Sequence, residues 1–219
     1  MQRFILNFKD QPNYCQLPKT VTQTWSKSGY TVPRHTEVVS TTYDDFGNVL
    51  TQRNSSGVVE TNTWYPKDGE EGCPADPQLF VRNLKSKTLT PARSAYGDAP
   101  TLQHRYKYTA HTGLSDSESW LAMSDETLYK EDIILQCNTF TYIKMPDNPF
   151  MHGRKLRDTL TLNGNTTTTL YEYSETKNAN AGEPVLQTLN TLIGYDDIPD
   201  DPDQQVRKLV TLEHSLLSR

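Results

Sequence analysis

The sequence has few apolar residues and no long apolar run. Hydrophobic side chains make up 34% of the 219 residues, whereas a typical soluble domain has roughly 45–50% when Gly is included. The run Phe4-Ile5-Leu6 near the start is too short for a signal-peptide core, and no stretch reaches the length that spans a membrane. We therefore expect thin apolar layers on extended sheets, not a thick core or a transmembrane helix.

Cysteine and positive charge are also scarce. Cys15, Cys73 and Cys137 are far apart and odd in number, so they form neither a disulfide framework nor a paired metal-ligand motif. The chain has 22 Lys and Arg against 27 Asp and Glu, for a net charge of −5, and such a chain repels the phosphates that a nucleic-acid-binding protein must neutralise. We expect no nucleic-acid partner and no cofactor.

Short stretches rich in Thr, Val, Tyr and Leu alternate with clusters of Gly, Pro, Asn and Asp. This pattern is typical of many short strands joined by turns, and it predicts an all-β fold of antiparallel hairpins in one region, 1–219. The strongest hairpin spans Leu156–Tyr173, where Asn163-Gly164 supplies two residues that accept positive φ. Further strands are predicted at Thr20–Trp25, Glu37–Tyr43, Val58–Trp64, Val81–Thr90, His104–Thr109, Cys137–Lys144, Val185–Ile193 and Lys208–His214.

Three stretches depart from the strand pattern. Ser117–Leu135 is the one segment predicted to hold helix, because its apolar residues lie among good helix formers. Tyr65–Asp76 and Asp196–Gln205 are predicted to be loops from their turn residues. The chain ends at Leu216-Leu217-Ser218-Arg219 directly after a predicted strand, which favours a piece of a longer protein.

One short motif carries most of the information. In the stretch Tyr43–Leu50, an aromatic strand end is followed by a carboxylate, a glycine and an apolar strand start. A short Asp caps turn N–H groups, Gly adopts left-handed conformations, and the flanking Tyr and Leu can pack across a hairpin. The motif predicts a structural turn defined by Tyr43, Asp44, Gly47, Asn48 and Leu50.

Parts of this motif recur. Tyr65-Pro66-Lys67-Asp68-Gly69 repeats the Tyr-to-Gly spacing 22 residues later, so Tyr65 and Gly69 are predicted to form a second turn and residues 43–69 the best-defined repeat. Tyr195-Asp196-Asp197 repeats the opening triplet but has Pro199 where the glycine would fall. The pairs Tyr106/Tyr108 and Tyr171/Tyr173 each place two rings on one face of a strand.

The Tyr43–Leu50 stretch, continued through Gly57, resembles the YD repeat of RHS proteins, whose pattern is roughly Tyr-Asp-x-x-Gly-Asn/Arg-x-x. The wider run from Val21 to His214 is similar to the B and C components of bacterial insecticidal toxin complexes. The resemblance implies a curved, repeat-built β-strip that forms a shell around a toxin, with other shell segments and the enclosed toxin as partners. It also implies a non-enzymatic role and secretion or cell-surface display within a toxin complex.

Two features differ from that family. Its cargo-releasing members carry an aspartyl self-cleavage pattern, Asp-Pro-x-Gly, whereas Asp76-Pro77 and Asp201-Pro202 are each followed by two residues without the required glycine. Self-cleavage is therefore not expected. Family shells are also several times longer than this chain, so it would form an arc whose open sheet edges need a partner.

Catalytic and metal sites find little support in the residue pattern. The acid pairs at 44/45, 70/71, 196/197 and 200/201 are better explained as solvated turn carboxylates than as a glycosidase pair, which needs two acids facing one sugar. The acidic 196–203 segment lacks the order of an EF-hand loop. Ligand-like spacing is also absent among the five histidines, His35, His104, His111, His152 and His214. No catalytic, metal or cofactor-binding residue is predicted.

Carbohydrate binding is the alternative function. Aromatic rings near strand ends can stack on sugars while neighbouring Asn and Asp bind hydroxyls, but the same rings can also form cross-strand ladders between repeats. Exposed rings would favour sugar binding, and rings packed between strands would favour a shell. The rings concerned are Tyr43, Trp64, Tyr65, Tyr106, Tyr108, Tyr171 and Tyr173.

Overall fold

The structure, a computed structural model, describes residues 2–7, 17–29, 32–113, 118–177, 184–195 and 206–215. Within these ranges the chain forms thirteen β-strands and no α-helix. The strands are β1 (Gln2–Asn7), β2 (Thr20–Trp25), β3 (His35–Tyr43), β4 (Val49–Arg53), β5 (Val59–Trp64), β6 (Leu84–Thr90), β7 (Leu102–His111), β8 (Trp120–Lys130), β9 (Ile133–Tyr142), β10 (Lys155–Leu162), β11 (Asn165–Lys177), β12 (Pro184–Tyr195) and β13 (Val206–Ser215).

The strand order in the sheet is the order of the strands along the chain. Neighbouring strands pair antiparallel, as the β3–β4 and β10–β11 registers illustrate. This confirms the all-β, antiparallel fold predicted from the sequence. No helix in the described ranges has the length and apolarity needed to cross a membrane.

The predicted Asn163-Gly164 hairpin is confirmed. Asn163 and Gly164 have φ angles of +51° and +80°, as a two-residue turn between antiparallel strands requires. The register on either side pairs Leu162 with Asn165 and Thr161 with Thr166, and the hydroxyl oxygens of the second pair lie 3.0 Å apart. This hairpin therefore forms from chemistry that is local in sequence.

The other predicted strands all overlap observed strands, with shifted ends. Thr20–Trp25 matches β2 at both ends, whereas the strand predicted from Val81 begins at Leu84. The difference arises because residues before Leu84 belong to a loop that closes on itself, as described below. The strands β1 and β8 were not predicted, and of β4 only the start was predicted, at Leu50.

The helix predicted at Ser117–Leu135 is wrong. The described part of this segment forms β8 and the start of β9, joined by a tight turn in which Glu131 has a φ of +55°. Helix propensity is a weak preference of well under 1 kcal/mol per residue. A strand here is hydrogen-bonded to β7 on one side and to β9 on the other, and this pairing overrides that preference.

The chain divides into two compact units. Unit 1 comprises Met1–Tyr106 and Leu128–Ile133, and unit 2 comprises Lys107–Thr127 and Ile134–Arg219. Unit 1 contains β1 to β6 with the first part of β7, and unit 2 contains β10 to β13 with most of β8 and β9.

Buried side chains are few. Among the side chains that the structure describes, the buried apolar residues are Tyr65, Cys73 and Ile143, and the buried polar residues are Thr41, Asn62, Asp76, His111 and Thr168. Cross-strand polar pairs supplement the backbone ladders. In unit 1, the hydroxyl oxygens of Thr42 and Thr51 lie 2.6 Å apart, and Lys87 forms an ion pair with Glu60 at 2.7 Å. This composition agrees with the low apolar content of the sequence.

Candidate functional site

The Tyr43–Leu50 motif forms a hydrogen-bonded turn between β3 and β4 in unit 1. Asp44 Oδ1 accepts the N–H groups of Phe46 at 2.9 Å and Asn48 at 2.8 Å. The Gly47 N–H donates to the Asp44 carbonyl at 3.1 Å, and the Asp44 N–H donates to the Asn48 carbonyl at 2.9 Å. Gly47 has a φ of +87°, a conformation that glycine adopts without steric cost.

Two side chains of the motif tie this turn to more distant parts of unit 1. Asn48 Nδ2 donates both to Asp44 Oδ2 at 2.9 Å and to the Val81 carbonyl at 2.8 Å. The Tyr43 hydroxyl donates to the Pro18 carbonyl at 3.1 Å. The aromatic and amide residues of the motif therefore act as tethers between segments that are far apart in sequence.

The same turn recurs ten residues later. Asn54 Oδ1 accepts the Val58 N–H at 3.0 Å and the Ser56 hydroxyl at 2.7 Å. The Gly57 N–H donates to the Asn54 carbonyl at 3.0 Å, and Gly57 has a φ of +88°. The sequence signal for this copy, Asn54-x-x-Gly57, has the spacing of Asp44-x-x-Gly47 and was missed because no Tyr precedes it.

A third copy is centred on Asp76, without glycine. Asp76 Oδ1 accepts the N–H groups of Gln78 at 2.9 Å and Phe80 at 3.2 Å. The Leu79 N–H donates to the Asp76 carbonyl at 2.9 Å, and Leu79 occupies the glycine position with a φ of +61°. We call the turns at Asp44, Asn54 and Asp76 the Asx turns.

Asp76 is also a buried charged residue of unit 1. Its Oδ2 accepts a hydrogen bond from Arg82 Nε at 2.7 Å, and its side chain is 1% exposed. Burial raises the pKa of Asp76, but the Phe80 and Gln78 N–H groups and the Arg82 guanidinium outweigh that effect and bring the pKa below its ordinary value of 3.8. The carboxylate is therefore kept ionised to hold the loop together.

The second predicted turn, Tyr65–Gly69, differs from the Asx turns. The Gly69 N–H donates to the Pro66 carbonyl at 3.0 Å, with a φ of +77° at Gly69, but Pro66 has no carboxylate to cap the turn. Its Tyr is buried, and the Tyr65 hydroxyl donates to the Tyr106 carbonyl at 2.8 Å. The Tyr-to-Gly spacing thus produces a turn and a tethered ring at both sites.

Tyr65 also begins a closed loop that ends at Asn83. The Tyr65 N–H donates to the Asn83 carbonyl at 2.9 Å, and the Asp76 N–H donates to the Lys67 carbonyl at 2.9 Å. Burial, with Asp76 and Glu70 nearby, raises the pKa of the Cys73 thiol to about 11. A thiol with so high a pKa is a poor nucleophile. Cys73 therefore has a packing role in this loop.

A cavity of about 400 Å³ lies between the first Asx turn and this loop. Phe46 on its wall is 67% exposed, and Trp64 is held in place because its Nε1 donates to the Val49 carbonyl at 3.0 Å. Asp44, Leu50 and Tyr65, three of the predicted turn residues, also line it. The complete lining is Asp44, Phe46, Leu50, Trp64, Tyr65, Pro66, Lys67, Asp68 and Val81.

The aromatic residues singled out in the sequence are mostly half-buried and tethered. Tyr43 and Tyr106 of unit 1 are half-buried, and so is Tyr108 of unit 2. In unit 2, the Tyr171 hydroxyl donates to Asp158 Oδ2 at 2.9 Å, and the Arg154 guanidinium lies 5.0 Å from the Tyr173 ring centre. The most exposed ring at the cavity, Phe46, was not among those predicted.

Two histidines meet in unit 2. His111 packs against Trp120, Tyr142 and His152, with ring centres 5.2, 5.0 and 6.0 Å away. We call these four residues the ring cluster. Nothing in the local sequence links them, because the cluster combines β7, β8, β9 and the loop after β9.

No metal centre emerges from the described residues, among which no group of three or more His, Cys, Asp or Glu side chains is arranged to hold a metal ion. His35 lies beside Trp25 and Glu37, and His104 stacks on Tyr106. The acidic segment 196–203, the predicted loop Asp196–Gln205 and Cys15 fall outside the described residues.

The sequence was also compared with known proteins. No protein-family model matches this chain, and no curated protein is significantly similar to it. The structure and the residues described above are therefore the basis for assigning a function.

Proposed function

We propose that this chain is a non-enzymatic structural segment of an RHS/YD-repeat shell that encloses a toxin. The observation that carries the proposal is the recurrence of the Asx turn at Asp44, Asn54 and Asp76. The three turns lie in successive connections between β3 and β6 and share two bonds, one from the N–H four residues on to the Asx Oδ1 and one from the N–H three residues on to the Asx carbonyl. Such recurrence is expected of a repeat-built sheet. The motif that resembles a YD repeat is the first of these copies.

The arrangement of the strands supports the same role. Each strand of a chain-order sheet pairs with its neighbours along the chain, so further strands of the same kind can be added at an end strand. In unit 1, the described residues pair β1 with β2, and Ile5 of β1 is exposed. A segment of a longer shell would present such an end strand to the neighbouring segment.

Size-exclusion chromatography with light scattering on the 219-residue chain tests this proposal. An unpaired strand edge promotes association, and a charged residue on that edge opposes it. We expect the chain to self-associate as its concentration rises, and Ile5→Lys to reduce this association. Val32→Lys, at an exposed loop position, is the matched control and should behave like the unmodified chain. A monomer at all concentrations would contradict the proposal.

The cavity in unit 1 favours a second candidate function, carbohydrate binding. Aromatic walls with a few polar groups are the usual features of a small-ligand pocket, and the exposed face of Phe46 with the nearby Asp68 fits a sugar ring and its hydroxyls. Asp44 contributes to the wall but not to recognition, because its carboxylate is bound within the turn.

A glycan array followed by calorimetry on any bound sugar tests this second function. Phe46→Ala and Asp68→Asn should each weaken binding by about tenfold or more, the effect of losing roughly 1.4 kcal/mol. Tyr96→Ala, which removes a fully exposed ring outside the cavity lining, should leave binding unchanged. A sugar that binds equally well to all three variants would exclude this cavity as its site.

A further inference from the structure

His111 is buried without a hydrogen-bond partner for its ring. The residue is 2% exposed, and neither Nδ1 nor Nε2 has a partner among the described residues. Buried polar atoms are normally hydrogen-bonded, and an unpaired ring tolerates burial far better when it is neutral than when it is charged. The environment of His111 is therefore suited to the neutral imidazole.

The rest of the ring cluster encloses His111 on several sides. Trp120 of β8 stacks on it with an angle of 13° between the ring planes, whereas Tyr142 of β9 and His152 present their edges at 83° and 72°. His152 also contacts Trp120, with ring centres 5.4 Å apart. These contacts hold the loop 143–154 against β7 and β8 within unit 2.

Two backbone groups determine the tautomer of His152. Its Nε2 lies 2.9 Å from the Thr112 carbonyl, and the Met145 N–H donates to its Nδ1 at 3.0 Å. A carbonyl can only accept, so Nε2 carries the hydrogen, and Nδ1 must keep its lone pair for Met145. This neutral imidazole connects the loop to the residue that follows β7.

The ionisable groups shown to act on His111 are Tyr142 from β9, by ring contact, and Lys144 and His152 from the loop, by their effect on its pKa. Burial has the largest effect on His111, and Lys144 and His152 add to it, so the pKa of His111 falls below its ordinary value of 6.5. A proton on His111 would thus be a buried charge near the Lys144 ammonium, with no carboxylate among the groups that shift its pKa.

We propose that the ring cluster is an acid-sensitive latch, in which neutral His111 holds the loop 143–154 against β7 and β8, and protonation of His111 releases it. The released state lets water reach the imidazolium and separates it from Lys144. The proposal concerns unit 2 alone and is independent of the function proposed above.

The pH range follows from proton linkage. Above the ordinary pKa of 6.5, His111 is neutral in both the closed and open states, and the latch is fully stable. As the pH falls below that value, the open state takes up a proton that the closed state excludes, until the pH passes the lowered pKa of the closed state. In this range the opening equilibrium constant rises by up to about tenfold per pH unit for one proton.

Hydrogen–deuterium exchange of the full chain, followed between about pH 7.5 and pH 5 and corrected for intrinsic rates, tests the latch. Opening of the Gly153 and Met145 amides, which bind Ile143 and His152, should rise as the pH falls. Opening of the Leu156–Tyr173 hairpin should change less. His111→Phe keeps a ring but cannot be protonated. The slope of the logarithm of the opening constant against pH should therefore fall by up to about one in this variant, because one proton fewer is taken up on opening.

His104→Phe is the matched control, because His104 also lies on β7 and stacks on a ring but is only half-buried. It should retain the steepness of the unmodified chain. Loop opening that does not respond to pH, or an equal steepness with and without His111, would refute the latch. If His111→Phe does not fold, NMR titration of the unmodified chain decides the question: a His111 ring that titrates at or above 6.5 overturns the proposal.

Discussion

Asp44 and Asn48 are joined by two hydrogen bonds, from the Asn48 N–H to Oδ1 at 2.8 Å and from Asn48 Nδ2 to Oδ2 at 2.9 Å. Both carboxylate oxygens therefore accept hydrogen bonds inside the turn, and Oδ1 also accepts one from the Phe46 N–H. Asp44 is therefore a structural residue at the edge of an aromatic cavity, and the stability of this turn can be tested directly.

Gly47→Val should lower the free energy of unfolding by roughly 1–3 kcal/mol, because a β-branched residue is strained at the φ of +87° found there. Urea denaturation of the two proteins measures the difference. Gly47→Asn is the control, since Asn tolerates left-handed conformations and should lose less stability. Equal stability of all three proteins would show that the turn assignment is wrong.

Leu79→Gly should raise the free energy of unfolding by about 0.5–1 kcal/mol, because it relieves the left-handed strain of a residue that carries a side chain. Leu79 has a φ of +61° and is 63% exposed, so little apolar burial is lost. Leu79→Ala removes the same exposed atoms without relieving the strain and should give no gain. Thermal melts that place the Gly variant below the Ala variant would contradict the third Asx turn.

Gly69→Ala should destabilise unit 1 more than Gly29→Ala does. Both glycines have positive φ, but a Cβ at Gly69 would lie 2.4 Å from the Ala75 backbone nitrogen, whereas a Cβ at Gly29 meets nothing within 4 Å. We expect a loss of roughly 1–2 kcal/mol at Gly29 from strain alone, and a clearly larger loss at Gly69. Similar urea midpoints for the two variants would argue against the closed loop.

Arg82→Met should make the stability of the chain depend less steeply on pH in acid. The pKa of Asp76 is below 3.8 in the folded chain, so this carboxylate stabilises folding above that pH, and the contribution is lost as the pH falls through the folded pKa. Removing the guanidinium leaves burial less opposed, which raises the folded pKa of Asp76. The folded and unfolded pKa values of Asp76 then lie closer together, so in denaturant melts the variant should lose less stability than the unmodified chain as the pH falls below about 5.

At neutral pH, Arg82→Met should also cost roughly 1–3 kcal/mol, the range for a hydrogen bond to a charged group, towards the lower end because the Arg82 side chain is 46% exposed. Lys85→Met breaks an ion pair with Glu70 in which both side chains are more than a third exposed. That control should cost less than about 1 kcal/mol and leave the acid profile unchanged. If the stability of the two variants depended on pH in the same way, the ion pair of Asp76 with Arg82 would have no particular part in acid stability.

The features that sequence analysis predicted correctly are those that depend on neighbours along the chain. The Asn163-Gly164 hairpin and the turn at Gly47 require only residue types that accept positive φ or cap a nearby N–H, at spacings of a few residues. The copy at Asn54 has the same spacing and could have been found in the same way. The third copy could not, because Leu79 gives no signal for positive φ.

The wrong prediction, a helix at Ser117–Leu135, shows the limit of local preference. The helix formers in that segment favour a helix only weakly, and hydrogen bonding to strands on both sides decided its structure. The position of neighbouring strands cannot be predicted from the composition of the segment itself.

By itself, the sequence determined that this protein is built from antiparallel hairpins with few buried apolar side chains, and it determined where several of the turns lie. Only the tertiary structure placed Phe46 and Trp64 around one cavity and buried His111 among Trp120, Tyr142 and His152. The physical reason is that strand register and loop closure bring together side chains up to about 40 residues apart, whereas turn chemistry acts over about five residues.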